Sequence, residues 1–263
     1  MIPSHPTPFL MPLQPSHPLH GCFVTGTDTA VGKTQVSAAL LHWCAQQGWR
    51  SAGFKPVAAG TTRIDGQSVN EDVQALRQAG SARLTDAEVG PLQFEAACAP
   101  QIAAVLEDRS IDPATILSAA RHLARCADVV VVEGVGGFCV PLGPDWDTAD
   151  LAVAIGLPVI LVVGLRLGCI SHALLTAEAI RARGLPLAGW IANTVDPDMA
   201  HREGNLASLR HEMTRRHQAP CLGVLPWLDA PKPAAVAAHL DATALHRVFD
   251  HTPLPSSCLL EST

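Results

Sequence analysis

The residues best suited to chemistry lie in one short run, residues 26–34, which reads Gly-Thr-Asp-Thr-Ala-Val-Gly-Lys-Thr. A β-prone stretch, 22–25, precedes the run, and 35–41 follows it with a helical pattern. A strand, a small-residue loop and a helix that begins at Gly-Lys-Thr form a phosphate cradle, because their backbone N–H groups converge on one anion. Lys33 adds a positive charge, and the Thr34 hydroxyl is placed to bind Mg²⁺. The first glycine stands one position earlier than usual, so the loop is an atypical version of the motif.

Three charged side chains elsewhere in the chain could join the same site. Glu133 directly follows four valines, which predicts a carboxylate at the tip of a buried strand, where it would bind Mg²⁺ directly or through water. Lys55 ends a predicted strand, and we expect its ammonium to face the phosphate site beside Lys33; a lysine at a strand end can also reach solvent. Asp72 fits two readings equally, a Mg²⁺ ligand or an acid that complements a helix dipole.

Composition narrows the class of protein. The chain has 263 residues and a formal net charge of −6, which argues against nucleic-acid and acidic-membrane partners. Eight cysteines are scattered without a C-x-x-C pair, as is typical of reduced thiols in a cytosolic protein. No apolar run reaches the ~20 residues that a membrane-spanning helix needs. We therefore expect a soluble, cytoplasmic protein.

The order of elements predicts an α/β fold, with a mostly parallel sheet covered by helices on both faces. The predicted strands are 22–25, 51–57, 128–132, 157–163, 187–192 and 221–225, and the predicted helices include 70–78, 113–126, 171–183 (capped by Ser171) and 199–217. Ligands bind such sheets at the carboxyl ends of the strands, where the polar and glycine-rich residues cluster here. Residues 1–20, rich in proline and histidine, are predicted to be a disordered extension, 21–250 a single domain, and 251–263 a flexible tail.

Several ordered segments carry a family resemblance. They include Val-Gly-Lys-Thr at 31–34, Gly-Phe-Lys-Pro-Val at 53–57, Val-Glu-Gly at 132–134, Leu-Gly-Cys-Ile at 167–170 and Gly-Trp-Ile-Ala-Asn at 189–193. In this order and at this spacing they resemble the dethiobiotin synthetase family of biotin biosynthesis, over roughly residues 21–230. A phosphate loop alone would be weak support, whereas the ordered set is specific.

The resemblance implies a P-loop NTPase fold and an ATP- and Mg²⁺-dependent ligase that works as a homodimer. Its substrates would be 7,8-diaminopelargonate and CO₂, and its product dethiobiotin. One substrate amine captures CO₂ as a carbamate, the γ-phosphate of ATP is transferred to the carbamate, and the second amine closes the ring and expels phosphate.

The resemblance also implies roles for residues at matching positions. Lys33 and Lys55 would hold the carbamate and the γ-phosphate, and Thr29 would contact the carbamate. Mg²⁺ would be bound by Thr34, Asp72 and Glu133. Nucleotide contacts would come from Thr27, Asp28, Ala30, Val31, Gly32, Lys33, Thr34, Gln35, Glu133, Gly134, Val135, Gly136, Asn193, Thr194, Pro226, Trp227 and Leu228. Among them, Asn193 would hydrogen-bond adenine, with the backbone of 226–228 beside it. The substrate would contact Thr29, Lys55 and Ala59, and its carboxylate would be bound by Leu167, Gly168, Cys169 and Ile170 of the second subunit.

Three positions depart from the family pattern. Ala30 replaces a glutamate, Ala59 a serine, and Ser171 an asparagine, but no lysine or metal ligand is lost.

The main alternative function is that of a partitioning or septum-placement ATPase; such proteins carry a second lysine where this chain has Asp28. An amidating synthase of corrinoid biosynthesis would add a glutaminase domain, for which this chain is too short. A non-catalytic nucleotide-binding scaffold predicts no turnover.

Overall fold

The computed structural model describes residues 19–64 and 67–250. Its strands, numbered in chain order, are β1 (Gly21–Gly26), β2 (Ser51–Phe54), β3 (Val57–Ala59), β4 (Thr62–Ile64), β5 (Gln67–Val69), β6 (Leu92–Phe94), β7 (Val129–Glu133), β8 (Val159–Leu165), β9 (Leu187–Thr194) and β10 (Cys221–Leu225). Its helices are α1 (Lys33–Gln46), α2 (Glu71–Ala79), α3 (Asp86–Val89), α4 (Pro100–Leu106), α5 (Pro113–Cys126), α6 (Thr148–Ile155), α7 (Cys169–Ala182), α8 (Arg202–His217), α9 (Pro233–Ala237) and α10 (Ala242–Asp250).

A six-stranded sheet forms the centre of the fold, in the order β10-β9-β8-β1-β7-β2. Every pairing within this sheet is parallel. Parallel neighbours need crossover connections, and the helices between consecutive strands supply them. The predicted α/β architecture is confirmed, and the carboxyl ends of β1, β2 and β7 meet at one edge.

The valine-rich strand β7 shows why both faces of the sheet are covered. Side chains alternate between the faces of a strand, so Val129 and Val131 pack in one hydrophobic core together with Leu40 of α1. Val130 and Val132 belong to the core on the opposite face. All four valines are buried, which is the burial expected of a central strand in a parallel sheet.

The predicted strand 51–57 is wrong in its extent. The structure divides it, because β2 joins the main sheet while β3 pairs with β6 in a separate two-stranded sheet. Between them, Lys55 N donates to Val89 O at 2.7 Å, and Pro56 has no N–H with which to continue the ladder. The break places Lys55 at the end of β2, beyond the edge of the sheet.

The predicted cap of α7 is also wrong. The helix begins at Cys169, and its N-cap is Gly168, with φ 96° and no side-chain hydrogen bond. Glycine adopts this left-handed conformation without the penalty that a Cβ imposes, so the chain can turn from the end of β8 at Leu165 into α7 within a short connection. Ser171 lies within the first turn instead.

Some predictions concern parts of the chain that the structure does not describe. Most of the predicted extension (1–18) and the predicted tail (251–263) lie outside the described residues, and the single-domain boundaries stay predictions. Across 19–64 and 67–250, no helix combines the length and apolar character needed to cross a membrane.

Candidate phosphate-binding site

A cavity of about 900 Å³ opens beyond the carboxyl ends of β1, β2 and β7. Its walls come from the loop after β1, the residues after β2 and β7, the start of α2 and the segment before α4. The lining residues are Asp28, Thr29, Ala30, Gly32, Lys33, Thr34, Gln35, Lys55, Ala59, Asp72, Ala97, Cys98, Ala99, Pro100, Glu133, Val135, Gly136, Gly137 and Val140.

The loop conformation depends on two residues with positive φ. Gly32 is the N-cap of α1 with φ 91°, and a Cβ built there would collide with the amide nitrogen of Asn193. Ala30 has φ 58°, a left-handed conformation that costs a residue with a Cβ roughly 1–2 kcal/mol. The family resemblance predicts a glutamate at this position, and its Cβ would carry the same backbone penalty as that of alanine.

Lys33 lies in the floor of the loop. Its side chain is largely buried, and Nζ donates to the main-chain oxygen of Asp28 at 2.9 Å. Burial, and then the nearby Lys55 ammonium, lower the pKa of Lys33 from 10.5 to about 8. The ammonium therefore keeps its proton at pH 7 and loses it as the pH rises through about 8, and an anionic phosphate would stabilise its charged form.

Lys55 forms a buried ion-pair group with two carboxylates. Its Nζ lies 2.6 Å from Glu133 Oε1 and 2.9 Å from Asp72 Oδ2, with Lys55 3% and Glu133 0% exposed. Burial alone would lower the pKa of Lys55, but Glu133 and Asp72 hold it above its ordinary value. Burial would likewise raise the pKa of Asp72, and Lys55 holds it below its ordinary value. Lys55 and Asp72 are therefore charged at neutral pH.

Thr34 joins the same two carboxylates from the side of α1. Its Oγ1 lies 2.7 Å from Asp72 Oδ1 and 2.8 Å from Glu133 Oε1, yet a hydroxyl has one hydrogen and can donate to only one of them at a time. Glu133 Oε2 is buried and has no hydrogen-bond partner among the described residues. A hydroxyl and two carboxylates, one with a free buried oxygen, are the hard oxygen donors that Mg²⁺ prefers.

The donor set is small for a metal held by protein alone. Among residues 19–64 and 67–250, no group of three or more His, Cys, Asp or Glu is arranged to hold a metal ion. Mg²⁺ in nucleotide sites commonly uses one or two carboxylates together with substrate phosphates and water. The group of Thr34, Asp72 and Glu133 fits that kind of site.

The structure brings together most of the predicted loop and lysine residues but not the predicted adenine contacts. The Asn193 amide donates to Val31 O at 3.0 Å, and the Thr194 hydroxyl donates to Leu225 O at 2.8 Å. The Asn193 side chain thus braces the backbone of the loop, and Thr194 ties the end of β9 to the end of β10. The predicted nucleotide residues outside the cavity lining are Thr27, Val31, Gly134, Asn193, Thr194, Pro226, Trp227 and Leu228.

The predicted carboxylate-binding segment lies outside this cavity as well. Leu167 is 89% exposed, whereas Cys169 is buried. Gly168 and Ile170 lie with them at the start of α7. Within one chain this segment does not reach the cavity, which is the arrangement that the resemblance implies for residues serving a second subunit; that role stays a prediction.

Sequence reasoning missed one wall of the cavity. Residues 97–100, together with Val140, line it without having been predicted. Pro100 at the first position of α4 was the available signal for a helix start, but nothing local indicated that this helix would lie beside the phosphate loop.

Solved structures with similar backbones were found at low sequence identity. The MinC–MinD cell division protein complex of Aquifex aeolicus is 13% identical, with a TM-score of 0.49 over 90% of this chain and 97% of that one. Chloroplast FtsY from Physcomitrella patens is 15% identical, with a TM-score of 0.46 over 91% and 67%. The septum site-determining protein MinD, complexed with Mg-ADP, from Pyrococcus horikoshii OT3 is 17% identical, with a TM-score of 0.45 over 78% and 81%. No functional assignment rests on these likenesses.

A family model gives the clearer relationship. The model described as an AAA domain, AAA_26, matches residues 20–235, which include every strand of the main sheet and the whole cavity lining. With the phosphate loop in place between β1 and α1, the chain is a P-loop nucleotide-binding domain and belongs to the AAA domain family AAA_26, which includes dethiobiotin synthetase.

Proposed function

We propose that the protein is an ATP- and Mg²⁺-dependent ligase that carboxylates 7,8-diaminopelargonate and closes it to dethiobiotin. The observation that carries the proposal is that Lys33 and Lys55 line one cavity together with Asp72 and Glu133. A nucleotide-binding loop needs the first lysine. A second, buried lysine in the same cavity suits a phosphoryl group that moves onto a small substrate.

The proposed reaction has three steps. One substrate amine attacks CO₂ and loses a proton, which gives a carbamate. A carbamate oxygen attacks the γ-phosphorus of ATP, and the bond to ADP breaks, which gives a carbamic-phosphoric anhydride. The second amine attacks the carbonyl carbon, loses a proton and expels phosphate, which closes the ureido ring.

The residues at the loop would stabilise the charge that moves in the second step. The Lys33 ammonium, next to the loop N–H groups, would hold the γ-phosphate, and Lys55 would bridge the phosphate to the carbamate. Thr34, Asp72 and Glu133 would hold Mg²⁺, which neutralises phosphate charge when bound. Thr29, at the mouth of the loop, would orient the carbamate.

The cavity size supports a second occupant beside the nucleotide phosphates. About 900 Å³ extends from Lys33 to Ala59 and the segment before α4. Pockets for small molecules are commonly 300–1,000 Å³, so triphosphate and a linear diamine could share this space. The substrate carboxylate would bind at the Gly168 helix start of a second copy of the chain, in a homodimer, because first-turn N–H groups favour an anion.

Phosphate release tests the proposal. We expect release from ATP to require 7,8-diaminopelargonate and bicarbonate together. Release that is equal without the diamine, or that rises with anionic lipid vesicles in its place, would instead favour the partitioning or septum-placement ATPase. Nucleotide binding without any turnover would favour a scaffold.

A further inference from the structure

Arg166 joins the phosphate loop from outside the cavity. β8 lies beside β1, with Val162 opposite Gly26, and Thr27 N donates to Val162 O at 3.0 Å. Parallel neighbours end at the same edge of a sheet, so the residue that follows β8 emerges next to the loop that follows β1. That residue is Arg166, and its guanidinium forms an ion pair with the carboxylate of Asp28.

Asp28 links Arg166 to two further residues of the loop, Thr29 and Lys33. Its Oδ2 is the atom paired with Arg166, its Oδ1 accepts the Thr29 N–H at 2.7 Å, and its main-chain oxygen accepts the Lys33 ammonium at 2.9 Å. The Thr29 hydrogen bond, opposed by burial and helped by Arg166, holds the pKa of Asp28 below its ordinary value. Asp28 is thus tied through both carboxylate oxygens and through its main-chain oxygen.

The same turn contains the least favourable backbone conformation of the loop. Ala30, two residues after Asp28, has φ 58°. A residue with a Cβ stays in this region only when its surroundings fix it there. The contacts of Asp28 lie immediately before Ala30, so they are placed to supply that restraint.

We propose that Arg166 is a positioning residue for nucleotide binding. By fixing the Asp28 carboxylate, it holds residues 28–30 in the shape that places Thr29, Gly32 and Lys33 around the cavity. The inference concerns the affinity of the loop for a nucleotide, and it holds whichever substrate the cavity receives. An exposed ion pair of this kind adds little to folding stability, so its removal should weaken binding and leave the fold intact.

Calorimetric titration with Mg²⁺ and a non-hydrolysable ATP analogue tests the role. Arg166→Gln should raise the Kd about tenfold at an unchanged midpoint of thermal unfolding, and Arg166→Lys should recover part of the loss. Asp28→Asn should also weaken binding. The double variant should bind no more weakly than the weaker single variant, because both changes remove the same contact.

A control lies at the far end of α7. Arg183, just after α7, forms exposed ion pairs with Asp147 at 3.1 Å and with Asp150 at 2.5 Å, away from the phosphate loop. Arg183→Gln should therefore leave the Kd unchanged. The proposal is overturned if Arg166→Gln binds as tightly as the unmodified protein, if the effects of Arg166→Gln and Asp28→Asn simply add, or if Arg183→Gln weakens binding equally.

Discussion

Lys55 Nζ lies 2.6 Å from Glu133 Oε1, and neither side chain is more than 3% exposed. Lys55 follows β2 and Glu133 ends β7, so this contact closes the edge between two neighbouring strands. The pair also lies at the base of the phosphate cavity. This contact therefore affects both folding and catalysis. Variants of Lys55 or Glu133 must be measured for both stability and turnover.

Replacing Lys55 should cost stability as well as turnover. Lys55→Gln leaves the Glu133 carboxylate buried without its counter-charge, and breaking a buried pair from one side commonly costs about 3–5 kcal/mol. Chemical unfolding should show this loss, and ring closure should stop. The matched variant is Lys55→Gln combined with Glu133→Gln, which removes both charges and should restore much of the stability without restoring turnover. A single variant as stable as the unmodified protein would show that Glu133 carries no buried charge.

Nucleotide affinity should fall as pH rises through about 8, the pKa to which burial and Lys55 lower Lys33. The shift is downward from 10.5, so the free protein loses the ammonium already above pH 8, while the ATP phosphates stay fully ionised. The Kd for Mg-ATP should rise toward tenfold per pH unit in that range. Lys33→Arg, whose side chain keeps its charge, should flatten the profile. A steep profile that persists in Lys33→Arg would assign the titration to another group.

The Thr34 hydroxyl should matter for metal and not for nucleotide alone. Thr34→Ala removes one of the three oxygen donors, so the Mg²⁺ concentration for half-maximal binding of a fluorescent ATP analogue should rise at least about tenfold. Thr34→Ser keeps the hydroxyl and should remain close to the unmodified protein. Equal loss of binding with and without Mg²⁺ would contradict the metal role.

Ala30→Gly should not lower the free energy of unfolding, although most substitutions by glycine in helices and loops do. Glycine removes a left-handed penalty of roughly 1–2 kcal/mol, and its greater unfolded-state entropy costs roughly 0.5–1 kcal/mol, so the free energy of unfolding should stay equal or rise by up to about 1.5 kcal/mol. The control is Ala207→Gly on the exposed side of α8, which should cost about 1 kcal/mol. Equal losses in the two variants would mean that Ala30 is not strained.

The main sheet could be predicted from the sequence because its strands are marked by long runs of neighbouring residues. Strands such as β7 and β8 are continuous apolar runs, and the end of β7 carries residues that line the cavity. The short elements β4, β5, β6 and α3 have three or four residues each, too few for a period to appear. The division at Pro56 and the wall at 97–100 depend on contacts with distant segments, so no local pattern marks them.

The site could be predicted as a set of residue types but not as a set of contacts. A strand-end lysine and a strand-end glutamate indicated an edge site, and both line the cavity. That Lys55 would pair directly with Glu133 and Asp72 depends on the register of β2 against β7. Likewise, an asparagine near the end of β9 reads as a ligand contact, whereas its amide here donates to Val31 O. The predicted adenine role of Asn193 therefore needs its own test.

Incorporation of labelled bicarbonate tests the central claim most directly. The protein is incubated with ATP, Mg²⁺, 7,8-diaminopelargonate and ¹⁴C-bicarbonate, and acid-stable label is counted against the ADP formed. The proposed ring closure predicts one acid-stable label for each ADP, because a ureido carbon survives acid whereas a free carbamate does not. ADP formation without acid-stable label would contradict the ligase and leave the chain a P-loop ATPase of another kind.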